Sequence, residues 1–400
     1  MQTKLKELLK SLALAGLSGV VSALAVSLFL TSLNTVTAFR ELHSEIIWLL
    51  PIAGLSIAFL YLKVEARLSS GTSLILEEVH NPQNILPLKM APLIFVSTLL
   101  SHLCGASVGR EGVAVQMSTT LSDQISKIFS LERDARKRLL ICGMSAGFAT
   151  ALGTPWAGAL FGVEVIHAGK IKKLALLESL VAAFVGYFIS LSLGTEHSRF
   201  VLSERFSFNL NSFLWVALCG VLFGLIALSF AKITHFCEKK LSSCFKNQKY
   251  KIFSGGFLIA FLFFIEGSYR YLGLGIPYIQ EALQAPSHFS DFIFKSFFSI
   301  LSLSFGFKGG EFIPLVFIGT TLGSALSFFI PVSFQLLGAV GFAAVFAGAA
   351  NAPLTCSLMA IEIFGWSIAP YALIACYASY FFSGQKGIYC SKDWGIFKKL

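Results

Sequence analysis

Two glutamates, Glu111 and Glu311, stand 200 residues apart, each inside a glycine-bounded break of an apolar stretch. The first break reads Gly109-Arg110-Glu111-Gly112, and the second reads Gly309-Gly310-Glu311-Phe312-Ile313-Pro314. A carboxylate at membrane depth is costly unless it is paired, protonated or in contact with water or ions. Glycines ahead of a helix let the backbone turn, and N–H groups of a first helical turn can hold an anion. A carboxylate there fills the anion position when charged and leaves it when protonated, so it could couple anion movement to proton movement. The structural alternative for Glu111 is a buried acid paired with Arg110 or Lys89. Glu311 could be a relic of duplication, but when protonated it becomes a donor to an anion. A compact, strongly basic anion gains most from such a donor.

The elements that must position these acids recur in two copies. Ser118-Thr119-Thr120-Leu121 follows the first glutamate, and Gly319-Thr320-Thr321-Leu322 follows the second. Pro155 precedes Glu164 by nine residues, and Pro353 precedes Glu362 by nine. Gly/Ala-rich runs, Ala146–Ala149 and Ala347–Ala350, lead into both. Glu164 and Glu362 are read as structural acids that cap or tether helix ends. The order of landmarks predicts a duplicated chain: a first membrane repeat over 1–194, a linker over 195–210, a second repeat over 211–385 and a tail over 386–400. Small-residue pairs at four-residue spacing, Gly105/Gly109, Gly143/Gly147, Gly158/Gly162 and Gly319/Gly323, predict close internal helix crossings.

Composition places these repeats in a lipid bilayer. The chain of 400 residues is 55% hydrophobic and only 13% charged, against about 25% charged for a soluble domain. Leu12–Leu30, Ile46–Leu62, Leu174–Leu193, Phe213–Phe230 and Ile252–Phe264 are the clearest apolar runs. Ala91–Cys104 and Ser296–Phe305 fall short of the roughly 20 residues a spanning helix needs, and each leads into a glutamate break. Short or interrupted segments at matching places in two halves point to a transport site. The net charge of +10 is concentrated in Lys4–Lys10, Arg133–Arg138, Lys170–Lys173, Lys239–Lys251 and Lys392–Lys399. By the positive-inside rule these loops and both termini are cytoplasmic. No basic patch is interleaved with exposed aromatics, so nucleic-acid binding is excluded. The basic, apolar start resembles a signal peptide, but its apolar run exceeds the usual length and reads as a retained first helix.

Other patterns carry less chemistry. The eight cysteines lack paired spacing, and Cys104, Cys142, Cys219, Cys356 and Cys376 read as small core residues. Neither a metal site nor a cofactor is expected. His102 and His167 read as satisfied interior or interfacial residues. Gly143-Met144-Ser145-Ala146-Gly147 matches the nucleophile elbow in form, but an elbow requires a preceding strand, and this run reads as helix. An intramembrane enzyme with Glu111 and Glu311 as paired acids has no nucleophile or metal ligand to support it. The hydroxyl-rich Ser69–Ser73 with Glu77 and Glu78 behind it reads as a helix N-cap, or as a third helix N-terminus aimed at the site.

These residues together resemble the CLC superfamily of chloride channels and anion/proton antiporters. Gly109–Gly112 resembles that family's gating-glutamate motif, and Gly309–Pro314 falls at its GGxFxP motif. Ser383-Gly384-Gln385-Lys386-Gly387-Ile388-Tyr389 resembles its C-terminal pore segment. Within the family the chain is most similar to the fluoride/proton antiporter branch. Gly71-Thr72-Ser73-Leu74-Ile75 stands where chloride members read GSGIP, and Val113 replaces the usual proline after GREG. Glu311 is acidic where chloride members are apolar. Val165 stands where many chloride antiporters carry a proton-relay glutamate, which fluoride members also lack, while Ile313 stands where similar fluoride members often have threonine.

The resemblance implies an all-α membrane bundle of two inverted repeats with tilted, broken helices, assembled as a homodimer. It implies fluoride export in exchange for protons across the cytoplasmic (inner) membrane, with a chloride/proton antiporter or chloride channel as the alternative. Glu111 would be gate and proton carrier. Glu311, Tyr389, Phe312, Ile313, Gly112 and Val113 would line the anion path, joined by Thr72 and Ser73.

Overall fold

The computed structural model describes residues 2–62, 68, 71–169, 175–384 and 387–389. Ser69, Ser70, Lys170–Lys173, Gln385, Lys386 and Lys392–Lys399 therefore lie outside the described residues. The described residues form sixteen α-helices with short 3-10 turns, and their one β-type pairing is an isolated bridge between Gly109 and Gly310. The order is α1 (Gln2–Leu42), α2 (Leu50–Leu62), α3 (Thr72–His80), α4 (Met90–Leu103), α5 (Glu111–Ile128), α6 (Arg133–Leu152), α7 (Pro155–Glu164) and α8 (Leu176–Ser192). There follow α9 (Leu210–Cys244), α10 (Gln248–Glu266), α11 (Ile276–Ala282), α12 (Phe289–Phe305), α13 (Phe312–Leu326), α14 (Phe334–Ala350), α15 (Pro353–Phe364) and α16 (Ala369–Phe382).

Among the described residues, four helical stretches are long and apolar enough to cross a membrane: Leu5–Leu42, Ser44–Leu62, Leu210–Cys244 and Gln248–Glu266. In α9, Val216, Cys219, Gly220, Phe223 and Ala227 are buried, while Leu214, Leu218 and Leu225 on the other face are exposed. A helix apolar on both its packed and its exposed faces belongs in lipid. Within the apolar run predicted over 174–193, α8 spans Leu176–Ser192, 17 residues. Helix α4, with 14 residues, rises only about 21 Å, less than the ~30 Å of hydrocarbon. The segment before Glu111 is thus too short to span the hydrocarbon as one helix.

The chain divides into two compact units that do not follow its order. One comprises residues 1–33, 64–96 and 111–197; the other comprises 34–63, 97–110 and 198–400. Within the first, α6 packs on α5, α7 and α8, and α7 packs on α8. Within the second, α14 packs in the same way on α13, α15 and α16, and α15 packs on α16. The punctuation matches too. Helix α6 ends at Gly153 and α14 at Asn351, both left-handed, and Pro155 and Pro353 open the next helices. Proline is suited to a first helical position because its missing N–H would have no acceptor there.

Small residues let these helices approach. Gly143 and Gly147 of α6 lie against Thr119, Ser122 and Ala114 of α5, while Gly319 and Gly323 of α13 lie against Gly341 and Leu337 of α14. The close crossings expected at Gly143/Gly147, Gly158/Gly162 and Gly319/Gly323 are therefore internal, whereas Gly105 and Gly109 fall in the break after α4 and form no helix crossing. The five named cysteines are buried and unbridged.

Candidate functional site

The break before Glu311 and the one before Glu111 meet in reciprocal hydrogen bonds. Gly109 N–H donates to the Gly310 carbonyl at 2.5 Å, and Gly310 N–H donates back to the Gly109 carbonyl at 2.7 Å. Ser107 N–H donates to Ser302 Oγ at 3.1 Å, and Lys308 N–H donates to Ser101 Oγ at 3.2 Å. Residues 101, 107 and 109 correspond to 302, 308 and 310 at a constant offset of 201. Each bond has its mirror, so a local two-fold runs through the bridge. The helices leading in end alike: Gly105 and Gly306 adopt positive φ, and the next amides, Ala106 and Phe307, return to the Ser101 and Ser302 carbonyls. Only a residue without a side chain takes that φ cheaply, which is why glycine ends both short helices.

Glu111 is two residues beyond this bridge and opens α5; Glu311 is one residue beyond and caps α13. Glu111, Gly112 and Val113 are buried in the first unit. Farther along α5, Gln116 Nε2 donates to Thr72 Oγ1 at 3.0 Å, tying the start of α3 to α5. Ser73, next to Thr72, is half-buried. In the second unit Glu311 is half-buried and its carbonyl accepts from Leu315 N–H at 3.1 Å, while Phe312 and Ile313 are buried. Phe312 meets Phe346 of α14 edge to face at 4.6 Å. One turn on, the Ala349 carbonyl accepts from Ile388 N–H at 2.9 Å, anchoring the segment that carries half-buried Tyr389. Helix α14 thus supports Phe312 and the Tyr389 segment together. The first turn of a helix has N–H groups that no carbonyl of that helix takes up, and α5 and α13 present theirs at Glu111–Val113 and Phe312–Ile313.

Several expectations change. Gly71, not a hydroxyl residue, is the N-cap of α3, and it makes no side-chain capping bond. Glu78 serves the other end of that helix, where its Oε2 accepts from Gln83 and Asn84 N–H at 2.8 and 3.1 Å. The repeated threonines are spent on their own helices, since Thr119, Thr120, Thr320 and Thr321 each donate to a carbonyl four residues back. Arg110 donates to Ser198 Oγ at 2.9 Å, and Lys89 is exposed. Ser145 lies inside α6 and donates to the Ala159 carbonyl, so the elbow pattern is a helical coincidence. His167 contacts the Val163 carbonyl. His102 is the interior residue expected, fully buried in the last turn of α4 beside the backbone of Gly109.

The sequence reading also missed a buried ion network in the first unit. Arg136 reaches Asp123 through Nε at 2.7 Å and Nη2 at 2.8 Å, and Glu78 through Nη2 at 3.3 Å. Asp123 also accepts from Leu86 N–H at 2.7 Å. This network locks α3, α5 and α6 together beside the Thr72–Gln116 contact. Arg136 sat in a basic run, Arg133–Arg138, read as a cytoplasmic loop, and nothing in that run set it apart from its neighbours.

Comparison with known proteins agrees with this architecture. Residues 53–384 match the voltage gated chloride channel family. The chain is 44% identical over 386 residues to a chloride/fluoride channel protein of Pseudomonas syringae pv. tomato, covering 95% of this chain and 85% of that one. It is similar to the solved structure of a CLC-type fluoride/proton antiporter, with a TM-score of 0.92 and 32% identity over 96% of this chain and 97% of that one. A slow cyanobacterial chloride/proton antiporter shares the fold, with a TM-score of 0.82 and 22% identity over 95% and 96% of the two chains. With the match running through both glutamate breaks and their flanking helices, the chain belongs to the voltage gated chloride channel family of membrane transport proteins.

Proposed function

We propose that this protein exports fluoride from the cytoplasm in exchange for inward-moving protons. The observation that carries the reading is the reciprocal bridge at Gly109 and Gly310, which sets one acid immediately beyond each arm of a local two-fold. The similarity to a CLC-type fluoride/proton antiporter over nearly the whole chain supports the choice of ions. In this mechanism Glu111 is the moving gate. Charged, it occupies the anion position at the start of α5; protonated, it withdraws and carries its proton across. Glu311 donates to the anion while it holds a proton. Tyr389 supplies a hydroxyl, and the amides at Gly112–Val113 and Phe312–Ile313 complete the cradle, with Thr72 and Ser73 at its edge. Fluoride is favoured because a small anion with concentrated charge gains most from short charge-assisted hydrogen bonds.

The assembly proposed is a homodimer in the cytoplasmic membrane with both termini inside, each subunit holding repeats over 1–194 and 211–385 joined by 195–210. The alternative is exchange or conduction of chloride through the same site, consistent with the double name of the Pseudomonas relative. Purified protein in liposomes decides between them. Fluoride efflux should exceed chloride efflux and be accompanied by proton uptake, and Glu111→Gln should abolish proton movement. Proton uptake that persists in Glu111→Gln would remove Glu111 from its role, and equal chloride efflux would favour the alternative.

A further inference from the structure

One cavity of the first unit plays no part in the exchange mechanism. It measures about 440 Å³ and opens where the start of α1, the turn from α5 to α6 and the first turn of α8 come together. Small-molecule sites span roughly 300–1,000 Å³, so this one is large enough to hold a ligand. Its floor is apolar: Leu14, Leu131, Leu139 and Cys142 line it and belong to the packing that joins α1, α5, α6 and α8. The α5–α6 turn at its rim is set by Ser130, left-handed at φ 48°, and by Leu131 N–H donating to the Ser126 carbonyl at 2.9 Å. Its walls are charged. Lys10 and Arg138 supply two cations, and Glu7, Glu132 and Glu178 supply three carboxylates.

Two of these groups have bonding capacity to spare. Glu178 accepts from the Ser11 hydroxyl at 2.8 Å and meets Arg138 Nε at 3.6 Å, and both contacts fall on Oε1. Among the described residues neither side chain has another partner, which leaves Glu178 Oε2 and the Arg138 Nη nitrogens for a ligand. The two side chains are 13% and 35% exposed, so they are held in place and still reachable. A guanidinium fork matches phosphate oxygens, and a carboxylate accepts from a primary ammonium. A purely anionic ligand would face three carboxylates against two cations. A quaternary ammonium is recognised by a cage of aromatic faces, and Phe129 is the one aromatic residue in this lining. The lining therefore suits a group that carries both a phosphate and a primary ammonium.

The surface flanking the lining residues shows where such a group comes from. Leu5, Leu8 and Leu9 flank Glu7 and Lys10, Ile128 and Phe129 lie on the α5–α6 turn, and Leu177 adjoins Glu178; all are between 41% and 76% exposed. Contiguous exposed apolar side chains around a polar cavity mark a place for an amphiphile. We propose that this cavity is an interfacial phospholipid site for a phosphoethanolamine headgroup. The phosphate lies on Arg138 and Lys10, the ammonium on Glu178 and Glu132, and the acyl chains along the leucines of α1 and Ile128. The headgroup reinforces the Ser11–Glu178 bond in tying the start of α1 to α6 and α8. This site requires only that the protein resides in a membrane, and it is independent of which ions are moved.

Native mass spectrometry of protein released from nanodiscs holding equal parts of phosphatidylethanolamine, phosphatidylcholine and phosphatidylglycerol tests the site. The parent should retain phosphatidylethanolamine about tenfold over phosphatidylcholine, the effect of one hydrogen bond between charged groups. Glu178→Gln should erase that preference, and Arg138→Met should lower retention of both lipids about tenfold. Should either variant fail to fold, Lys10→Met, at an exposed side chain, should still lower retention about threefold. Lys240→Met, an exposed lysine of the second unit, should change nothing. Equal retention of the three lipids, a preference for phosphatidylglycerol, folded cavity variants that behave as the parent, or an equal loss in Lys240→Met would each overturn the site. Free phosphoethanolamine added in detergent should leave the melting temperature unchanged while phosphatidylethanolamine raises it. Equal stabilisation by the free headgroup would overturn the assignment to lipid.

Discussion

Arg136 shows how much can hinge on one side chain that does not touch the proposed ion path. It neutralises Asp123 and Glu78, both buried. Arg136→Met would leave two carboxylates without their cation, and removing one partner of a buried pair typically costs about 3–5 kcal/mol. The expected outcome is a marked drop in thermal stability in detergent, measured by loss of monodisperse protein. Adding Asp123→Asn and Glu78→Gln should recover part of it, since no buried charge is then stranded. Gln116 is a milder case. Gln116→Leu removes one hydrogen bond to Thr72, worth about 1 kcal/mol, and should shift the fluoride-to-chloride flux ratio more than it shifts stability. An unchanged ratio would mean that Thr72 does not depend on Gln116 for its position. Glu111 and Glu311 could be picked out in the sequence because an acid within an apolar run is conspicuous. Gln116 and Arg136 could not, because a polar residue near a helix start looks the same whether it faces water or a buried partner.

Among the elements, paired glycines make the sharpest test. Gly319 and Gly323 press α13 directly onto the backbone of α14 at Gly341 and Leu337, whereas the space beside Gly16 in α1 is open. Gly319→Ala should therefore destabilise, by about 1–3 kcal/mol for an overpacked contact, and Gly16→Ala should stabilise by about 0.5–1 kcal/mol through helix propensity. Thermal melts of the two variants should move in opposite directions. Matching shifts would mean that the α13–α14 contact yields easily. The repeated four-residue glycine spacing announced such contacts in advance. The N-cap of α3 was misjudged, since serine and threonine at a helix entrance suggest capping even when glycine occupies the capping position and the acids serve the far end.

For the molecule as a whole, chain order and compactness part company. Helix α2 belongs to the second unit, where Gly54 sits against Ile252 of α10 and Gly256 of α10 sits against Leu50 and Pro51. A fragment ending near residue 203 should accordingly be unstable when expressed alone, because α2 lacks α10 and the Gly109 backbone lacks its partner Gly310. Co-expressed with residues 204–400 it should yield transport-competent protein; a stable, monodisperse first fragment would contradict this. Membrane residence, all-helical architecture, duplication and the positions of the two break glutamates were determined by the sequence alone, because each depends on local composition or on spacing along the chain. The partition into units, the reciprocal bridge at Gly109 and Gly310 and the Arg136 network were decided only by tertiary structure. Each of these joins residues tens to hundreds of positions apart, and no local pattern records which distant backbone will satisfy a broken helix end or which distant charges will share a buried space.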